Sequence, residues 1–63
     1  MVKITLKAAR VNANLTIQKA AEMLGVSVGT LRNWETGKTF PRQPQIEKLC
    51  EVYCIPFDVL FFA

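Results

Sequence analysis

The sequence predicts a small all-α domain, and three observations carry that expectation. Residues that cap, turn or break helices recur along the chain, at Asn12 to Asn14, Gly25, Gly37, Pro41, Pro44 and Pro56. The segments between them are of helical length with brief connections, as small helical domains require. No segment alternates apolar and polar residues well enough to read as a strand. Five helices are expected.

Thr5 is positioned to cap the first, Leu6 to Asn12, because its hydroxyl can accept from an amide that a helix start leaves free. Leu6, Ala9 and Ala13 recur at core-facing spacing. The Asn-Ala-Asn run ends this helix, since Asn tolerates the left-handed conformation common at helix ends. Thr16 caps the second helix, Ile17 to Leu24, with Leu15 and Ala20 spaced as a small apolar staple. Lys19 stands where a capping box would need Glu or Gln. Gly25 stops this helix. Ser27 caps the third, Val28 to about Glu35, and Gly37 closes it. Pro44 suits the first turn of a fourth helix reaching Tyr53, with Ile46, Leu49, Cys50 and Tyr53 on one stripe. Pro56 opens a short fifth helix through Asp58 to Phe61.

Sixty-three residues make a single domain, 1–63, and 51% apolar residues supply a core. A chain this short buries only about 60% of the surface its unfolded form exposes, which leaves little for a deep pocket. There is no His, so the commonest general base and zinc ligand are both missing. An enzyme is therefore not expected, nor a metal, a cofactor or a small-molecule ligand. Cys50 and Cys54 lie four apart; parallel side chains on one helix face are poorly placed for a disulfide, so both read as small buried apolar residues in a reducing compartment. Met1 is followed by mixed polar and basic residues, unlike a signal peptide. The apolar tail from Ile55 is far below the ~20 residues needed to cross a bilayer. A soluble protein with no membrane partner is expected.

Charge is uneven. Residues 1–43 hold seven Lys/Arg against Glu22 and Glu35, whereas residues 44–63 hold Lys48 against Glu47, Glu51 and Asp58. A basic front and a mildly acidic back suit a protein that presents one surface to a polyanion.

Ile17 to Thr36 meets the steric needs of two helices crossing near a right angle through a tight turn. Ala21 is small where the helices touch most closely, and Gly25 can take a positive backbone angle in the turn. Ala20, Leu24, Val26, Leu31 and Trp34 supply an apolar underside. The run Leu15 to Pro41, with Asn-Trp-Glu-Thr-Gly-Lys at 33–38 and Pro41 beyond it, resembles the Cro/phage-repressor (Xre-type) helix-turn-helix family. The terminal Asp-Val-Leu-Phe-Phe resembles that family's last helix, so the likeness runs from Leu6 through Phe62. It implies a five-helix, lambda-repressor-like domain working as a homodimer on double-stranded DNA at a near-palindromic operator. It further implies a cytoplasmic, nucleoid-associated regulator, bacterial or phage-encoded.

In such a motif the outer face of the third helix meets base edges. That face holds Val28, Gly29, Arg32, Asn33 and Thr36, opposite Leu31 and Trp34. Arg32 suits a bidentate contact to guanine and Asn33 one to adenine; Val28 can pack on a thymine methyl, and Gly29 lets the backbone approach. Arg32 can lean toward a phosphate instead. Phosphate anchoring is expected from Thr16, Gln18, Lys38, Thr39, Arg42 and Gln43. Lys38 offers both an ammonium and a backbone amide, while Arg42 reaches the minor groove or stays in water. The family commonly opens its second helix with a phosphate-holding Gln. Here Ile17 takes that place, and Gln18 sits about 100° around the helix. Arg10 and Glu35 occupy places that hold a structural ion pair in the family. In the tail, Leu60 and one of Phe61 and Phe62 close the core, and the other, with Phe57, forms a patch for a two-fold partner. The alternatives are an antitoxin with a protein partner on that tail, and a small helical adaptor without a DNA role.

Overall fold

The computed structural model describes residues 3–61, and the side chain of Phe61 is not among the described features. A two-residue strand β1 (Ile4–Thr5) leads into α1 (Leu6–Asn12), α2 (Ile17–Leu24), α3 (Val28–Thr36) and α4 (Gln43–Tyr53). A single 3-10 turn (Phe57–Val59) and strand β2 (Leu60–Phe61) follow. Thr5 Oγ1 accepts from the Ala8 amide, Thr16 Oγ1 from Lys19 and Ser27 Oγ from Thr30, each at 3.1 Å. Three helices thus begin on hydroxyls that satisfy amides with no partner in the helix. The fourth begins differently. Gln45 Oε1 reaches back to accept from the Arg42 amide at 2.8 Å, with Pro44 in the first turn.

Left-handed residues end the helices. Asn14 (φ 60°) follows α1, Gly25 (φ 73°) closes α2 and Gly37 (φ 79°) closes α3. A glycine takes this angle without the Cβ clash that other residues meet. Cys54 does so without that freedom, at φ 56°, and closes α4. It is exposed and Cys50 is half-buried. The expectation of two buried cysteines on one helix face is therefore corrected: Cys54 lies just past the helix end, where its backbone turns outward.

The expected fifth helix is absent. After Pro56 the chain makes one 3-10 turn, closed by Val59 N–H donating to Pro56 C=O at 3.2 Å. It then extends, and β2 pairs in parallel with β1, Ile4 opposite Leu60 and Thr5 opposite Phe61. So short a helix gains few hydrogen bonds against the cost of nucleation, while Val59 to Phe61 favour extended backbone. Leu60 gains a further advantage, since pairing buries it to 5% exposure in the core. Among the described residues the architecture is four α-helices, with a minimal two-stranded ribbon bringing the segment before α1 beside the segment after α4. Phe62, the alternative core residue, lies outside the described residues.

The core contains Leu6, Ala9, Ala20, Ala21, Leu31, Trp34, Leu49, Tyr53 and Leu60. α2 packs against both α3 and α4, and its two buried residues are alanines, which permit that close approach. α1 is tied to α3 by a different device. Arg10 Nε donates to Glu35 Oε2 at 2.8 Å and Nη2 to Oε1 at 3.5 Å, while Nη1 donates to the Leu15 carbonyl at 2.9 Å. The two side chains are 12% and 7% exposed.

Tyr53, on α4, faces this pair electrostatically. Its hydroxyl is buried with no hydrogen-bond partner among the described residues. Burial, reinforced by the Glu35 carboxylate and partly opposed by Arg10, pushes its phenol from 10.0 up to about 12. A raised folded-state value stabilises the fold below the unfolded phenol's range and loses that contribution as pH rises toward 12. The chain has one tyrosine, so phenolate absorbance reports on Tyr53 directly. Its titration midpoint is expected near 12 when folded, with roughly 2 kcal/mol of stability lost across that alkaline window. Tyr53→Phe should abolish the absorbance change and its share of the alkaline loss. A folded midpoint at the ordinary phenol value would contradict this environment.

Candidate nucleic-acid interface

α3 is held by one side. Leu31 is fully buried and Trp34 is 4% exposed, both within the core shared with α2 and α4. The other side is available: Gly29, Arg32 and Thr36 are exposed, and Val28 and Asn33 half-buried. Val28 is not wholly outward, because part of its side chain packs against the core. The Arg32 and Asn33 carbonyls accept from the Thr36 hydroxyl at 3.0 and 3.3 Å, leaving their side chains free of these bonds. At Gly29 an added Cβ would meet only Ser27 Oγ, at 3.9 Å. No described residue crowds that position enough to require glycine.

The loop after α3 is hydrogen-bonded at both ends. The Lys38 and Thr39 amides donate to the Asn33 carbonyl at 2.9 and 3.3 Å. This corrects the expected dual role of Lys38: its amide is committed inside the protein, and its ammonium is what it offers outward. Pro41 is buried, and Arg42 is fixed through its amide by Gln45. Between these anchors, Lys38, Thr39, Arg42 and Gln43 are exposed. Thr16 is exposed at the start of α2, although its hydroxyl already caps the helix, and Gln18 is exposed beside it.

Much of the positive charge is not ion-paired. Among the described residues the ion pairs are Arg10–Glu35 and Lys19–Glu22, the latter an exposed pair at 3.7 Å. Lys3, Lys7, Arg32, Lys38, Arg42 and Lys48 are exposed and belong to neither. Cations without carboxylate partners attract a polyanion without first breaking an existing pair.

Two residues here escaped the sequence reading. Phe40 is 61% exposed, an aromatic ring projecting from the loop between Lys38 and Arg42. No periodic signal marks a single residue in a loop. Lys7 lines the same cleft as Arg32. Its spacing of three from Arg10, which puts both on one helix face, was the available signal.

No helix among the described residues is long and apolar enough to cross a membrane. No curated protein and no solved structure matches the chain. A family model described as helix-turn-helix matches residues 6–60. That span takes in α1 to α4, the turn between α2 and α3, and the buried Leu60. The chain therefore belongs to the helix-turn-helix family of the Cro/C1, Xre-like type, a family of DNA-binding regulatory domains that are typically non-enzymatic.

Proposed function

We propose that this chain is a sequence-specific transcriptional repressor of phage or mobile-element type. It forms a single domain over 1–63, acts in the cytoplasm and reads double-stranded DNA as a homodimer. The observation that carries this reading is the two-sidedness of α3, with Leu31 and Trp34 buried and Gly29 and Arg32 exposed. Such a helix can enter a major groove without losing its packing.

Base reading falls to Val28, Gly29 and Asn33, with Arg32 beside them. The open space at Gly29 supports close approach of the helix backbone to the duplex. The Asn33 amide suits adenine, and the exposed part of Val28 a thymine methyl. Lys38, Thr39, Arg42 and Gln43, with Thr16 and Gln18 across the motif, address phosphates and set the register. Two copies related by a two-fold axis present their third helices to successive major grooves about 34 Å apart, on a near-palindromic operator. The exposed Phe57 supports the tail as a surface for the second copy.

Footprinting on DNA flanking the coding gene, with the stoichiometry of the complex, tests this reading. Discrete protected half-sites bound by two chains are expected; uniform protection of any duplex would contradict sequence-specific action. Asn33→Ala should relax discrimination at one base position by about 1–3 kcal/mol with little loss of thermal stability. Full retention of operator discrimination by that variant would remove Asn33 from the reading face. Lys38→Ala should instead weaken binding to all duplexes alike, with a salt dependence shallower by about one unit of slope. An unchanged slope would count against its phosphate role.

A further inference from the structure

A recess lies where the end of α2, the C-terminal half of α3 and the first turns of α4 meet. Leu24, Trp34, Pro44, Gln45 and Lys48 line it, around about 180 Å³ of space. Lys48 follows Pro44 by four residues and Gln45 by three, which brings all three to one face of α4. Leu24 is half-buried and packs partly on the core, whereas Trp34 is nearly enclosed at 4% exposure. None of Val28, Gly29, Arg32 and Asn33 is among the lining residues, so the recess is separate from the outward face of α3.

The polar groups here share one character. Lys48 is exposed and belongs to no ion pair among the described residues. Gln45 Oε1 already accepts from the Arg42 amide at 2.8 Å, which leaves its side-chain NH2 as the group still to be used. An ammonium and an amide NH2 both donate. A ligand that satisfies them must bring acceptors, and a negative charge serves best.

We propose that this recess binds a small aromatic carboxylate, its ring against Leu24, Trp34 and Pro44 and its carboxylate at Lys48 and Gln45. Size selects a single ring, since a cavity of roughly 150 Å³ is enough to hold benzene. A rigid ring also loses less freedom on binding than a flexible chain of similar area. A protein partner is a poorer occupant. Specific docking of that kind needs on the order of 1,000 Å², and none of the exposed Val11, Met23, Phe40 and Phe57 lines the recess. The expectation of no small-molecule ligand rests on the scarcity of buried surface in a short chain, and a half-open recess for one ring needs little of it. The proposal does not depend on the DNA-binding reading.

The test follows the indole N–H signal of Trp34, the chain's one tryptophan, by magnetic resonance. The full chain is titrated with benzoate, benzamide and acetate at constant pH and ionic strength. Benzoate should move the signal saturably, benzamide should need a several-fold higher concentration, and acetate should leave it in place. Lys48→Met keeps the aliphatic stem and should abolish the preference for benzoate over benzamide, while Lys48→Arg should retain most of it. A signal that benzoate never moves, or moves without saturation, would overturn the proposal. Equal response to benzoate and benzamide in the parent, or an unchanged preference in Lys48→Met, would overturn the role of Lys48. Acetate acting as well as benzoate would overturn the ring contact. Lys48 is exposed, so both variants should melt with the parent, which separates loss of the site from misfolding.

Discussion

Arg10 is the point on which the domain's geometry turns. From α1 it bonds the carboxylate of Glu35 near the end of α3 and the carbonyl of Leu15 ahead of α2. One planar guanidinium thereby fixes the relation of three segments. A largely buried pair of this kind adds little net stability, because desolvation consumes most of the Coulomb gain. Its value is orientation: apolar contacts alone would allow α1 to slide against α3, whereas the fork of hydrogen bonds tolerates few arrangements. Tyr53 completes the surroundings from α4, its phenol held neutral by burial and by the nearby carboxylate.

That constraint links packing to function. With α1 pinned, the cleft beside α3 has defined walls, and with Leu31 and Trp34 buried, α3 cannot roll to hide Arg32 or Gly29. The loop after α3 inherits the same order through the Asn33 carbonyl, which holds the Lys38 and Thr39 amides. The Asn33 carbonyl organises the loop, and its half-buried side chain takes no part in those bonds. A surface assembled this way is preformed, so binding need not order it first.

The sequence revealed what was local. The hydroxyl caps at Thr5, Thr16 and Ser27 each act over three residues, and the glycines at 25 and 37 mark a backbone need that glycine meets most readily. The two buried residues of α3 followed from helical spacing, and the resemblance carried the family. What was not legible depended on distant partners. Ile4 and Leu60 pair across nearly the whole chain, and strands of two residues are too short for alternation to register. The tail therefore read as a fifth helix. The Lys38 bond to the Asn33 carbonyl is local, the usual companion of a left-handed Gly37, so the inward amide was legible from the helix-ending glycine. An exposed lysine on a helix is ordinary in sequence, and only the cleft beside it distinguishes Lys7.

The central claim is that α3 is gripped by its apolar side so that its other side, with the following loop, meets a duplex. Amide chemical-shift mapping of the chain during titration with its operator tests this most directly. The largest changes should fall on residues 28–33 and 38–42, with the Trp34 indole signal little moved. Shifts centred on α4 and the tail, with α3 silent at saturation, would contradict the account.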